Sequence, residues 1–207
     1  MTAGSTFWRG DAPLILASGS ATRRQLLQAA ALPVEAVRPV VDERAIEADF
    51  LAMGGPPSGV AAALAEAKAL SVSPSHAGRV VLAADQMLTC EGRPFHKPED
   101  AAAARRQIAL LAGRRHELTS AFVLARDGQI IGRGASTAAL VMRALTPAFI
   151  EAYVAEAGPA ATASVGGYQL EGLGIHLFDR VEGDHFTILG LPVLDLLAAL
   201  RGLDLLA

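Results

Sequence analysis

A single cysteine, Cys90, occurs in the 207 residues. One thiol excludes an internal disulfide framework and any zinc site built from several cysteines, and it fits a reducing compartment. Positive charge is not in surplus either. Lys and Arg number 18 against 21 Asp and Glu, for a net charge of -3. Without a basic field there is little to hold a nucleic acid polymer, so no such partner is expected. No run approaches the ~20 apolar residues that a membrane helix needs. Met1 to Asp11 contains Arg9 and Asp11 and has no apolar signal core. The expectation is a soluble, cytoplasmic protein with no membrane partner. Three familiar site motifs are also missing: the Gly-x-x-x-x-Gly-Lys-Ser/Thr loop, the Gly-x-Ser-x-Gly elbow and the His-Glu-x-x-His helix. The five histidines (His76, His96, His116, His176 and His185) are scattered. None pairs with another at ligand spacing, and they read as surface or structural residues.

Apolar material is plentiful. The chain is 52% hydrophobic and 19% charged, enough for a sizeable core in one domain. Residues 1–12 read as a loose leader and 13–207 as a single domain. The most informative stretch is Leu14 to Leu27. Leu14, Ile15, Leu16 and Ala17 form a short apolar run, as in a strand covered on both faces. Ser18, Gly19 and Ser20 break it. Ser20 is placed to cap a helix in which Leu26, Leu27 and Ala30 recur at helical spacing. A helix N-terminus carries unpaired N–H groups and partial positive charge. With two serines and Arg23–Arg24 at the same end, it suits phosphate or another dense anion. The plainer alternative is an ordinary strand–loop–helix unit with solvated arginines.

Val34 to Val41 reads as a strand, with Pro39 arguing for a sheet edge. Asp42, Glu43 and Arg44 read as a polar turn, and Gly54-Gly55-Pro56-Pro57 as a breaker. Ser58 then opens a helix to about Val72. Lys68 lies near the edge of its apolar face, either snorkelling or aimed at a site. Arg79 to Ala84 is a strong apolar strand with Asp85 at its C-terminal end, where open α/β sheets bind ligands. Asp85 is thus either a turn former or a chemical group. Gly92-Arg93-Pro94 marks a turn, and Glu99 to Leu111 a helix ended by Gly113. Glu117 to Arg126 and Gln129 to Gly134 form a hairpin about Asp127-Gly128, and Ala138 to Arg143 continues the sheet. Thr146-Pro147 opens a helix that Gly158 closes. Residues 159–174 form a long loop, of the length that is functional or disordered. Ile175 to Val181 and His185 to Leu189 form a second hairpin about Gly183-Asp184, and a last helix follows Gly190-Leu191-Pro192. This order predicts an α/β fold with a mixed sheet.

The polar groups left near breakers are Ser18, Ser20, Arg23, Glu43, Lys68, Asp85, Lys97 and Glu171. Carboxylates, hydroxyls and cations together suit phosphoryl chemistry. Oxygen ligands hold Mg²⁺ or Mn²⁺, cations neutralise phosphate, and a carboxylate positions or deprotonates water.

The chain resembles the Maf family of nucleoside triphosphate pyrophosphatases from about Leu14 to Leu200. The carriers are Leu16-Ala-Ser-Gly-Ser-Ala-Thr-Arg23, Ala65-Glu-Ala-Lys-Ala69, Ala83-Ala-Asp-Gln86, Lys97-Pro98, Gly113-Arg-Arg-His-Glu117, Tyr168-Gln-Leu-Glu-Gly172 and Gly190-Leu-Pro192. The resemblance implies an elongated mixed β-sheet flanked by helices around a central cleft, often in a homodimer. It implies hydrolysis of a nucleoside triphosphate between the α and β phosphates, with a divalent metal cation, Mg²⁺ or Mn²⁺. Asp85 then matches the base for the attacking water, and Glu43 an acidic residue that holds metal or water beside it. Lys68 joins these two as a catalytic position. Ser18, Ser20, Arg23, Lys68 and Lys97 match phosphate-side groups. Three departures stand out: Ala21 replaces a usual proline, Thr22 a usual Arg or Trp, and Ala163-Ser164 an Asp-Lys pair.

Gln86 and Glu171, with Gly174-Ile-His-Leu-Phe178 following, look like the subgroup acting on 7-methyl-GTP. A carboxylate at 171 fits the donor edge of guanine, while Thr22 takes a position at which that subgroup stacks a tryptophan on the base. Two alternatives are a dTTP and UTP pyrophosphatase, and a nucleotide-binding regulator of septum formation, the role behind the family's name.

Overall fold

The computed structural model describes residues 6–207. Among them, seven strands form one mixed sheet in the order β2-β1-β3-β5-β6-β7, with β4 paired to β3 off this path. β1 (Leu14–Ala17) lies parallel to both β2 (Val34–Val37) and β3 (Val81–Cys90). Every other pairing is antiparallel: β4 (Arg93–Phe95), β5 (Arg115–Arg126), β6 (Gln129–Met142) and β7 (Phe178–Glu182). The expected mixed α/β architecture is therefore present, and β2 is an edge strand.

The hairpins follow turn chemistry. Asp127 and Gly128 have φ of 52° and 75°, and Glu91 and Gly92 have 51° and 74°. Paired positive φ values match the right-handed twist of the flanking strands. Across the β5–β6 hairpin, Phe122 faces Gly134. A Cβ at Gly134 would come within 2.5 Å of the Phe122 ring, so only glycine admits that aromatic side chain.

Alternation along the central strands divides the core. Ile15, Ala17, Val81 and Ala83 pack against α3 (Val60–Val72) through Ala65, Ala69 and Val72. Leu14, Leu16, Leu82 and Ala84 pack on the opposite face with Leu27 of α1 (Ala21–Ala29) and Leu196 and Leu200 of α8 (Val193–Gly202). Beyond them Leu88 and Cys90 meet α4 (Ala101–Leu111) and α5 (Pro147–Ala157). Burying one such leucine stabilises by ~1.5–3 kcal/mol.

Several expectations are corrected. Asp42 to Arg44 is not a simple turn: Asp42 caps a helix, α2 (Glu43–Ala52), accepting from Ala45 N at 3.0 Å. β3 does not stop at Ala84 but runs through Asp85 to Cys90, so Asp85 is mid-strand. His185–Ile188 is a helical turn, α7, and not a strand, because Asp184 accepts from the Thr187 N–H at 2.9 Å and caps it. The loop from 159 contains a short helix, α6 (Ala160–Ala163), and two 3₁₀ turns. The leader is partly tied down. Trp8 bridges to Leu206, and Arg9 N donates to Leu205 O at 3.0 Å; residues 1–5 of that leader lie outside the described residues. No described helix is long and apolar enough to cross a membrane.

His116 of β5 is buried, and its Nε2 lies 2.8 Å from the Tyr168 hydroxyl. Phe178 packs against both rings. Burial favours the neutral imidazole and pushes its pKa down from 6.5 to about 4. The unfolded chain therefore binds the extra proton in that window, and stability falls as pH drops through it. The expected loss is roughly 3 kcal/mol. Urea unfolding from neutral pH down to about 4 should show this decline, and His116→Gln should flatten the slope.

Candidate active site

The site forms where β3 loses a neighbour. On one edge β5 pairs β3 from Val81 to Thr89. On the other, β1 reaches only Val81 and Leu82, and β4 only Leu88 to Cys90. Among the described residues no strand pairs 83–87 on that edge. β1 stops because Ser18-Gly19 turns the chain into α1.

Alternation sends Asp85 and Gln86 to opposite faces. Asp85 shares the face of Val81 and Ala83, under α3. Small residues on that helix, Ala61, Ala65 and Ala69, let it lie close to the sheet and leave the Lys68 stem only 7% exposed. Lys68 Nζ donates to Asp85 Oδ2, and it lies 2.7 Å from Glu43 Oε1 in the first turn of α2. The other Asp85 oxygen accepts from the Gln86 N–H at 2.7 Å. One ammonium thus bridges two carboxylates at the cleft.

Arg23 closes the open edge. Ser20 caps α1, accepting from the Arg23 N–H at 3.3 Å. The Arg23 side chain reaches back from that first turn. Its Nη1 donates to Ala84 O at 2.7 Å and to Ser18 Oγ at 3.3 Å, and its Nε donates to Gly190 O at 2.8 Å. Gly190 has φ of +95°, which favours glycine there. Burial pushes the Arg23 pKa down from its usual value, opposed by the Asp85 and Glu43 charges. A guanidinium that starts so far above neutrality remains charged.

Two cavities of about 1110 and 900 Å³ meet at Glu43, Arg44, Asp85, Gln86, Lys97 and Val165 and form limbs of one cleft. Ser18, Ser20, Thr22, Arg23 and Lys68 line the first limb. Glu171 lines neither. It is exposed, in a tight turn where Gly172 N and Gly174 N both donate to Gln169 O, next to Gln169, which lines the first limb. Arg24 is exposed and also lies off the walls. Arg38, Gln169 and Gly190 line the first limb and were not expected. The signal for Arg38 was its place just past a parallel strand's carboxyl end. Ala163 and Ser164 also face this limb, so the charged pair they replace would have stood in the cleft. Among the described residues no three His, Cys, Asp or Glu side chains cluster at metal-binding range.

The family described as Maf-like protein matches residues 13–203. The chain is 54% identical to a protein of Rhodopseudomonas palustris (strain BisB18) named nucleoside triphosphate pyrophosphatase, over 98% of this chain and 99% of that one. It is 52% identical to the 7-methyl-GTP pyrophosphatase of Mesorhizobium japonicum, over 92% and 96% of the two chains. A second protein of that name, from Brucella abortus biovar 1, is 48% identical over 91% and 94%. With a family match across nearly its whole length, and with the sheet and cleft described above, the chain belongs to the Maf family.

Proposed function

We propose that this protein is a metal-dependent nucleoside triphosphate pyrophosphatase acting on modified nucleotides such as 7-methyl-GTP. It splits the α–β phosphate bond with water to give a nucleoside monophosphate and pyrophosphate. The observation that carries this reading is the convergence of Asp85, Lys68 and Glu43 at the open edge of β3, beside a limb lined by cations and hydroxyls. The names of the close relatives support the reaction, and two of them support the methylated guanine.

Asp85 is the base: it takes a proton from the water that attacks the α phosphorus. Lys68 fixes the Asp85 carboxylate against the cleft. The α1 N-terminus, Ser18, Arg38 and Lys97 draw in and orient the triphosphate. Glu43 and Asp85 would hold the divalent cation. Two carboxylates at the cleft fit Mg²⁺ or Mn²⁺, which take one or two protein carboxylates and complete their shell with phosphate and water. Such a cation, when bound, neutralises charge on the phosphates and on the leaving pyrophosphate.

Pyrophosphate release should be measured over 7-methyl-GTP, GTP, dTTP, UTP and CTP, with Mg²⁺ or Mn²⁺ and with chelator. Release should need metal and be fastest with 7-methyl-GTP; no release from any of them would overturn the enzymatic reading. Asp85→Asn should cut turnover by roughly 10²–10⁴-fold while nucleotide binding by calorimetry persists. Unchanged turnover would remove Asp85 from its role. Lys68→Met strands a nearly buried carboxylate and should lower unfolding stability by roughly 3 kcal/mol. Glu43→Gln touches only a half-exposed partner and should lower it by less than ~1 kcal/mol. Urea midpoints compare the two.

A further inference from the structure

Residues 164–169 contribute Ser164, Val165 and Gln169 to the first limb, yet they lie in short turns after α6, with no ladder of backbone hydrogen bonds to hold them. What holds them is a polar contact on the side away from the cleft. Tyr168 is extended, with φ of -144° and ψ of 158°, so its side chain and that of Gln169 point to opposite sides. Gln169 lines the limb, while Tyr168 enters the core with Leu88, Leu118 and Tyr153. The Tyr168 hydroxyl lies 2.8 Å from His116 Nε2, and its ring meets Phe178 edge-on at 4.8 Å. A second hydroxyl acts on the same stretch: Tyr153 donates to Gly167 O at 3.2 Å. A Cβ at Gly166 would come within 2.7 Å of the Tyr168 ring, so the backbone lies directly against it.

Packing alone does not call for the His116–Tyr168 pair. Leucine and phenylalanine would fill nearly the same space without burying polar atoms. A buried hydrogen bond contributes little net stability, because both groups give up water to form it. What it adds is direction. A hydroxyl that must meet one nitrogen fixes the ring, and the ring fixes the chain on either side of it. His116 is 1% exposed and lines neither limb, so any effect it has on a nucleotide passes through Tyr168.

We propose that His116 is a positioning residue. Through Tyr168 it sets the course of residues 165–169, and so the place of Gln169 in the first limb. It acts on nucleotide binding, apart from Asp85, Lys68 and Glu43. The inference rests on the pyrophosphatase reading of that site.

The test uses Tyr168→Phe, which removes only the hydroxyl, His116→Leu, which removes the nitrogens, and the two combined. In each, KM for 7-methyl-GTP should rise by about 3- to 10-fold with kcat retained. The combined variant should be no worse than either single one, since one bond cannot be lost twice. It should also match the parent protein in urea unfolding at neutral pH, because neither polar partner is left buried alone. His116→Gln, which can still bond the Tyr168 hydroxyl, should bring KM back toward the parent value. An unchanged KM in Tyr168→Phe would overturn the proposal. So would a combined variant that regains the parent KM along with its stability, which would make the pair a matter of packing alone. A second readout needs no nucleotide: hydrogen exchange at the Gly172 and Gly174 amides, which donate to Gln169 O. Exchange should quicken in Tyr168→Phe and His116→Leu, and unaltered exchange would sever His116 from the limb. A parent protein that turns over no nucleotide would instead fail the pyrophosphatase reading, with the exchange measurement still deciding the coupling.

Discussion

Between Ala83 and Met87 the central strand has a backbone neighbour on one edge only, and buried backbone groups cannot stay unpaired. The carbonyl of Ala84 and the N–H of Gln86 both face that open edge. Side chains supply what a strand would have supplied: Arg23 donates to the carbonyl, and the Asp85 carboxylate accepts from the N–H. A gap opened by the early end of β1 thus becomes a place where charged side chains are held against a sheet. The cleft and its polar lining both come from that gap.

Lys68 shows how burial changes the value of a charge pair. Arg44 and Glu99 lie 3.8 Å apart with both side chains almost fully exposed, and such a pair contributes ~0–1 kcal/mol. Lys68 and Asp85 are 9% and 14% exposed, so neither finds enough water to stand alone. Their pairing fixes the carboxylate in place before any ligand arrives. Glu43, half exposed at the start of α2, adds a second carboxylate that stays open to the cleft. A rigid charge beside an accessible one suits a site that must hold one group still and admit another.

What could be read in the sequence was what local chemistry decides. The β1 run, the Ser20 cap, the Asp127-Gly128 hairpin and the Thr146-Pro147 helix start each depend on a few adjacent residues, and each is present. α2 was missed because its stripe is short, Ile46, Phe50 and Leu51 only, and none of its residues is fully buried; the cap at Asp42 and the Gly54-Gly55 stop were the signals that bound it. β3 looked too short because Asp85 and Gln86 interrupt its apolar pattern. Their polarity is compensated by Lys68 and by the 187–188 carbonyls, which lie 17 and about 100 residues away in the chain. α7 was taken for a strand because His185 to Leu189 is apolar enough for either, and one cap from Asp184 decides it. Residue types and family likeness brought most of the cleft residues together. They could not show that Arg38 and Gln169 line the first limb, since that depends on how distant segments pack.

The departure at Ala163-Ser164 bears on how far the site keeps its chemistry. Both residues face the first limb, where the resemblance leads one to expect an aspartate and a lysine. Removing one of each sign leaves the summed charge of the limb unchanged. What is lost is a pair of local contacts. Arg38, exposed and without an ion pair among the described residues, and Lys97, shared by both limbs, still line the cleft. Asp85, Lys68 and Arg23 are held by one another's surroundings at the open strand edge and do not depend on that pair.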